Sequence, residues 1–163
     1  MIFSQPSKKL GELLVERQLI TRGQLEQALL RQRTTGEFLG AILVREGHVK
    51  PETLLAALSE QFGVPHEALN PDRIDWDIVK QFPKASLAEG KWFPIRSDAE
   101  TVTVAITNPL DAGALSAAER VSGFRRVRAV LVLPSDLQAV FARYRQRLLQ
   151  SIGTQLSHGD QTQ

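Results

Sequence analysis

The sequence predicts an α+β fold: an N-terminal four-helix subdomain of two duplicated helical hairpins, followed by a small α/β subdomain with a three-stranded sheet. Three observations predict it. Residues 10–32 recur as residues 39–61, at a constant offset of 29, and both copies space their apolar residues as helices do. Beyond the repeat, residues 91–96, 101–107 and 125–133 have the short β-rich texture of strands bounded by turns. Helical stretches stand between the second and third strands and after the third.

The elements follow in order. Aligning residues 9–32 with 38–61 pairs Leu10/Leu39, Gly11/Gly40, Leu14/Leu43, Val15/Val44, Leu25/Leu54, Ala28/Ala57, Leu29/Leu58 and Gln32/Gln61, eight identities in 24 ungapped positions. That is a duplication. Two copies are too few for a solenoid and suit two helical hairpins packed together. In the first copy Leu10, Leu13, Leu14 and Val15 predict one helix. Thr21 followed by Gln24 is a capping box opening a second, whose Leu25, Ala28, Leu29 and Gln32 fall at helical spacing. In the second copy Pro51 takes the first helical turn, where its missing N–H costs nothing. Four short helices are predicted up to about Phe62.

Residues 75–82 predict a short helix ended by Pro83. The strands "KWFPIR" and "TVTVAIT" are separated by the polar turn "SDAE". "NPLDAGALSAAERVSG" opens on turn residues and becomes a helix ending at Gly123, "RRVRAVLVL" is the third strand, and residues 134–150 form a last helix. From Ser151 the chain is polar and aperiodic, which predicts a disordered tail. The expected organisation is therefore a tandem-motif helical subdomain over 1–70, an α/β subdomain over 71–150 and a tail over 151–163.

Composition narrows the function classes. With 20 Lys and Arg against 18 Asp and Glu the chain is nearly balanced, so charge gives no reason to expect DNA, RNA or acidic lipid as a partner. The absence of cysteine removes disulfides, thiolate metal sites and thiol nucleophiles, and fits a reducing compartment, with the cytoplasm as the default. No apolar run approaches the roughly 20 residues that span a bilayer, so no direct membrane insertion is expected. The N-terminal "MIFSQPSKK" lacks the apolar centre of a signal peptide. The polar ending "SIGTQLSHGDQTQ" reads as a true C-terminus.

A catalytic centre is not expected. His48, His66 and His158 are scattered among turns and tail without metal-ligand spacing, and read as exposed surface residues. "AEGKWF" lacks the earlier glycine and the hydroxyl of a phosphate-binding loop, and no serine sits in a nucleophile elbow. The acidic residues are dispersed singly. The arginines at 125, 126, 128, 143, 145 and 147 read as a solvated face, with contact to an acidic partner as the alternative. No catalytic residue, metal or cofactor is assigned.

The repeat itself carries the polar signal. Gly11 and Gly40 lie inside predicted helices, where glycine costs on the order of 1 kcal/mol relative to alanine, so something must approach the backbone there. A neighbouring helix or a ligand would both account for it. Gln32 and Gln61 each end an apolar stripe with a group that both donates and accepts hydrogen bonds. Occurring twice at one position, they suggest two equivalent half-sites.

The double segment resembles the tandem motif Arg-Leu-Gly-x-x-Leu-Val-x-x-Gly-x-Ile-x-x-x-x-Leu-x-x-x-Leu-x-x-Gln of MshEN domains, whose copies are joined by a five-residue spacer, here "RTTGE". "FGVPHEALNP" and "FPIRSDAETVTVAITNPLDAGAL" look like the rest of the same N-terminal domain of type II secretion and type IV pilus assembly ATPases. The resemblance implies binding of cyclic di-GMP, a ligand with two identical halves, one for each copy. Carried over by position, the first copy would contribute Lys9, Leu10, Gly11, Leu14, Leu25, Leu29 and Gln32. The second would contribute Phe38, Leu39, Gly40, Leu43, Leu54, Leu58 and Gln61, and Asn108 would lie near the ligand.

Four positions depart from the family pattern. Lys9 and Phe38 replace the usual arginines, Gln18 stands at the mid-motif glycine, and Asn108 replaces the aspartate before the proline of "NPLD". Lys9 gives up the planar fork of arginine, and Phe38 offers only a stacking face. The changes fall on polar contacts and spare the apolar frame, so asymmetric binding is expected. The implied function is a non-enzymatic receptor that controls an attached or partner effector, such as a secretion or pilus ATPase or a glycosyltransferase, at the inner face of the inner membrane. The competing reading is a ligand-free adaptor that docks an effector to a membrane assembly.

Overall fold

The computed structural model describes residues 9–123 and 126–158, with side chains through residue 156. The duplicated segment forms two hairpins, α1 (Leu10–Glu16) with α2 (Arg22–Thr35), and α3 (Leu39–Arg45) with α4 (Pro51–Phe62). The same local chemistry makes both. After seven residues α1 and α3 are each stopped by a left-handed residue two positions on, Gln18 at φ 59° and Gly47 at φ 77°. The next N–H then folds back, from Leu19 to the Leu14 carbonyl and from His48 to the Leu43 carbonyl, each at 2.9 Å. The capping box at α2 is complete: Thr21 Oγ1 accepts the Gln24 N–H at 3.1 Å and Gln24 Oε1 accepts the Thr21 N–H at 2.9 Å. Pro51 opens α4.

The hairpins exchange partners, with α1 packed on α4 and α2 on α3. This is the arrangement a two-fold axis between the copies produces. Leu14, Ile42 and Leu43 are fully buried, with Ala28 and Leu58, and close the seam between them.

After α4 the chain joins the sheet before its own helices begin. The Leu131 N–H donates to the Pro65 carbonyl at 2.8 Å and the Glu67 N–H donates to the Leu131 carbonyl at 3.0 Å. There follow a 3₁₀ turn (Pro71–Arg73), α5 (Trp76–Val79), α6 (Lys84–Ala88), β1 (Trp92–Ser97), β2 (Thr101–Ile106), α7 (Ala112–Val121), β3 (Arg126–Leu131) and α8 (Pro134–His158). The sheet has the order β1-β2-β3, with β1 antiparallel and β3 parallel to β2. Pro94, which has no N–H to give, sits on the edge strand β1, where the register shifts between Pro94 and Arg96. The Ile95 carbonyl takes the Asp75 N–H instead, at 3.0 Å. In the β1–β2 turn, Asp98 Oδ1 accepts the N–H groups of Glu100 and Thr101 at 2.9 and 2.7 Å, which hold its carboxyl below the ordinary carboxylate range.

The α+β class and the three-stranded sheet stand as the sequence predicts. Two elements differ. The helix expected over 75–82 is reduced to α5, because the Gln81 and Phe82 N–H groups bond three residues back, to Ile78 and Val79, and tighten the turn. Pro83 then opens α6 rather than only ending a helix. The tail expected from Ser151 is helical as far as His158. Ser151 Oγ donates to the Leu148 carbonyl at 2.8 Å and Thr154 Oγ1 to the Gln150 carbonyl at 3.0 Å, so its hydroxyls fold onto a helix already nucleated. Arg125 and residues 159–163 of the expected strand and tail lie outside the described residues.

The buried side chains of both halves belong to one cluster. Four edge-to-face aromatic pairs anchor its α/β end: Trp76 on Phe93, Phe82 on Trp92, and Phe141 and Tyr144 on Phe93.

A duplicated candidate binding site

The approach to the two helical glycines is made by leucine. A Cβ at Gly11 would overlap Leu25 Cδ1, and one at Gly40 would lie 2.8 Å from both Leu54 Cδ2 and Phe38 Cε1. Leu25 and Leu54 are equivalent residues of the two copies. Each glycine thus lets the second helix of its own hairpin press a leucine onto the backbone of the first. Of the two explanations open at the sequence level, helix contact is the one present at both positions.

Two cavities flank the seam. The first, of about 610 Å³, is lined from the first copy by Lys9, Leu10, Gly11, Glu12, Arg22, Leu25, Glu26, Leu29, Gln32 and Arg33. Phe38, Leu39, Gln61 and Phe62 close it from the second copy, and Leu110 from the loop after β2. The second, of about 520 Å³, is lined by Phe38, Ala41, Val44, Arg45, Pro51, Leu54, Leu55 and Leu58, with Thr107, Asn108, Leu133, Pro134 and Ser135 from the α/β half. The duplication relates them. Lys9, Glu12, Arg22, Leu25, Glu26 and Leu29 of the first cavity are, at the offset of 29, the positions of Phe38, Ala41, Pro51, Leu54, Leu55 and Leu58 in the second. Phe38 borders both cavities.

Twelve of the fifteen expected site residues line these cavities. Lys9, Leu10, Gly11, Leu25, Leu29, Gln32, Leu39 and Gln61 line the first, Leu54, Leu58 and Asn108 the second, and Phe38 both. Leu14 and Leu43 are fully buried in the seam and line neither, and Gly40 is covered by Leu54 and Phe38. Gln32 Nε2 donates to the Glu37 carbonyl at 3.1 Å, tying α2 to the spacer between the copies, where Arg45 pairs with the Glu37 carboxylate. Asn108 Oδ1 accepts the Leu110 N–H at 2.9 Å and shapes the loop that reaches both cavities.

The equivalent walls differ in charge. Around the first cavity stand Lys9, Arg22 and Arg33 with Glu12 and Glu26, whereas among the described residues Arg45 is the one charged side chain lining the second. Arg22, Arg33 and Leu110 had no signal in the repeat, because identity between copies marks the apolar frame and these positions are not shared. His48 also departs from the expected exposed surface. It is half-buried, with Nδ1 3.1 Å from Gln24 Nε2 and Nε2 3.4 Å from Glu46, whose carboxylate also pairs with Arg31 at 2.8 Å. His66 is exposed and pairs by its backbone with Leu131 at the sheet edge. Among the described residues no group of His, Asp and Glu could hold a metal, and no helix is long and apolar enough to cross a membrane.

These features define an α+β domain built on an internally duplicated pair of helical hairpins, with two cavities flanking the seam between the copies. The chain belongs to the MshEN domain family, whose sequence pattern matches residues 62–151, more than half of its length. That match begins where the duplication ends, so the α/β half supports the assignment independently of the tandem motif. Bacteriophage adsorption protein B of Escherichia coli (strain K12) is 33% identical over 130 residues, covering 80% of this chain and 17% of its own. The type IV pilus assembly ATPase PilB of Myxococcus xanthus (strain DK1622) is 29% identical over 138 residues, covering 85% and 24%. The chain thus spans less than a quarter of the length of these curated relatives. A solved structure of MshE with cdg superposes with a TM-score of 0.74 at 29% identity, over 84% of this chain and 99% of that one. The N-terminal domain of XpsE, at 19% identity and a TM-score of 0.64 over 88% and 98%, shares the fold.

Proposed function

We propose that this chain is a cyclic di-GMP receptor domain without a catalytic step of its own, which passes ligand occupancy to an attached or partner effector. The effector class is a secretion or pilus ATPase or a glycosyltransferase acting at the cytoplasmic face of the inner membrane. The observation that carries the reading is the pair of cavities that share six lining positions at the repeat offset. A ligand with two identical halves matches a site made twice. The likeness to MshE with cdg supports the same ligand, and each cavity has the size range of small-molecule sites, about 300–1,000 Å³.

The fifteen residues divide by task. Leu10, Leu25 and Leu29 in one copy, and Leu39, Leu54 and Leu58 in the other, cover the flat faces of base and ribose. Gln32 and Gln61, both lining the first cavity near the seam, supply hydrogen-bonding groups, and Lys9 faces phosphate. Phe38, bordering both cavities, stacks on a base where an arginine fork is missing. Gly11 and Gly40 hold the leucines at the right depth, and Leu14 and Leu43 fix the seam that sets the separation of the halves. Asn108 and its neighbours bring the α/β half to the second cavity, so a bound ligand touches both halves and favours one way of packing them.

Titration calorimetry tests the site. Saturable heat with cyclic di-GMP is expected, and Gln32→Ala, Gln61→Ala and Leu10→Ala should each weaken it by roughly tenfold, the effect of about 1.4 kcal/mol. Absence of heat at high micromolar ligand would refute the proposal.

A further inference from the structure

A third cavity, of about 480 Å³, lies away from the repeat, between α5, α6 and the second half of α8. It shares no lining residue with the other two. Its walls are aromatic and apolar: Trp76, Phe82 and Tyr144, with Leu148. Its charged lining residues are Lys80, Lys84 and Arg147, all exposed. Among the described residues no acidic side chain lines it, in a chain whose net charge is only +2. The Arg147 guanidinium carbon stands 4.7 Å over the Trp76 ring and Lys80 Nζ is 2.9 Å from Asp77 Oδ1, so the Asp77 carboxylate at the rim partly neutralises Lys80 and, more weakly, Arg147, and leaves Lys84.

The wall is rigid. Trp76 and Tyr144 both stack edge-on against the buried Phe93, so the aromatic surface is preformed rather than collapsed into the core. An apolar slot ringed by cations on long stems attracts negative charge over an area and holds an apolar group at its centre. Among the described residues no buried polar side chain lines it to fix the edge of a small ligand. We propose that this cavity docks an acidic peptide segment of a partner protein, with an aromatic residue in the slot and flanking Asp or Glu on Lys84 and Arg147. The docking surface is independent of the cyclic di-GMP reading.

A fluorescein-labelled peptide with one Trp between runs of Glu is the probe, titrated with the full chain at low salt and read by fluorescence anisotropy. Saturation with a midpoint of roughly 10–500 μM is expected, weakening steeply with salt. Lys84→Glu and Arg147→Glu, both surface changes, should each reduce affinity at least about fivefold, and a peptide with Ala for Trp should bind at least that much more weakly. Gln32→Ala should change nothing. Equal binding of a Lys-flanked peptide, undiminished binding by the Lys84→Glu/Arg147→Glu double variant, or no anisotropy change at roughly 1 mM chain would overturn the proposal. Displacement of the peptide by GTP at comparable concentration would overturn it too, by marking the cavity as a nucleotide site.

Discussion

Gln18 occupies a backbone position built for another residue. Its counterpart in the second copy is Gly47, and both take the left-handed conformation that ends the first helix of a hairpin, at φ 59° and 77°. Glycine adopts it freely, whereas a side-chain-bearing residue loses on the order of 1 kcal/mol there. Gln18 is exposed, so no packing is lost with its side chain. Gln18→Gly should therefore raise stability by about 0.5–1 kcal/mol in urea unfolding and leave ligand affinity unchanged. A loss of stability would show that the glutamine makes a compensating contact. At this scale agreement between the copies marks two kinds of residue, those that line the cavities and those, such as Leu14 and Leu43, that are buried and line neither. The glutamine pair and the leucines reach the cavities because duplication kept them, while Arg22 and Arg33 reach the first cavity from positions that repetition does not mark.

The elements were legible for a related reason. Helix starts are written in local chemistry: Thr21 with Gln24, and Pro51, act within one turn and need nothing distant. The end of α8 is not, since its continuation past Gln150 depends on hydroxyls that bond either water or a helix that is already there. The glycines show where sequence pattern stops short of cause, because a helical glycine announces a close approach without naming what approaches. Leu25 is the answer at Gly11, and the contact is made by the end of a flexible side chain. Gly11→Ala should therefore gain about 1 kcal/mol of helix propensity and spend most of it moving Leu25, for a net change within about 1 kcal/mol by denaturation. Leu25 also lines the first cavity, so the displaced methyl should still weaken cyclic di-GMP binding by roughly tenfold. Unchanged affinity would mean that Leu25 moves away from the ligand rather than towards it.

Across the whole molecule the two-fold relation of the hairpins is broken by what lies beside them. Among the described residues the first cavity meets the α/β half through Leu110 alone, while the second is closed by the residues that follow β2 and β3 and by the start of α8. Sequence comparison of the copies reveals their likeness and hides this difference, which arises from tertiary packing alone. It would give the proposed ligand a direction of action. One half of a two-fold molecule would bind among helices, and the other would press on Asn108, Leu133 and Ser135, at the root of a helix that first reaches the aromatic cavity at Tyr144, about 14 Å further on at 1.5 Å per residue. Hydrogen exchange on the full chain with saturating cyclic di-GMP should therefore protect amides in α2 and α4 together with residues 107–111 and the first turn of α8, and leave β1 unchanged. Protection confined to α1–α4 would separate binding from the α/β half and leave the ligand no route through α8, whatever its affinity.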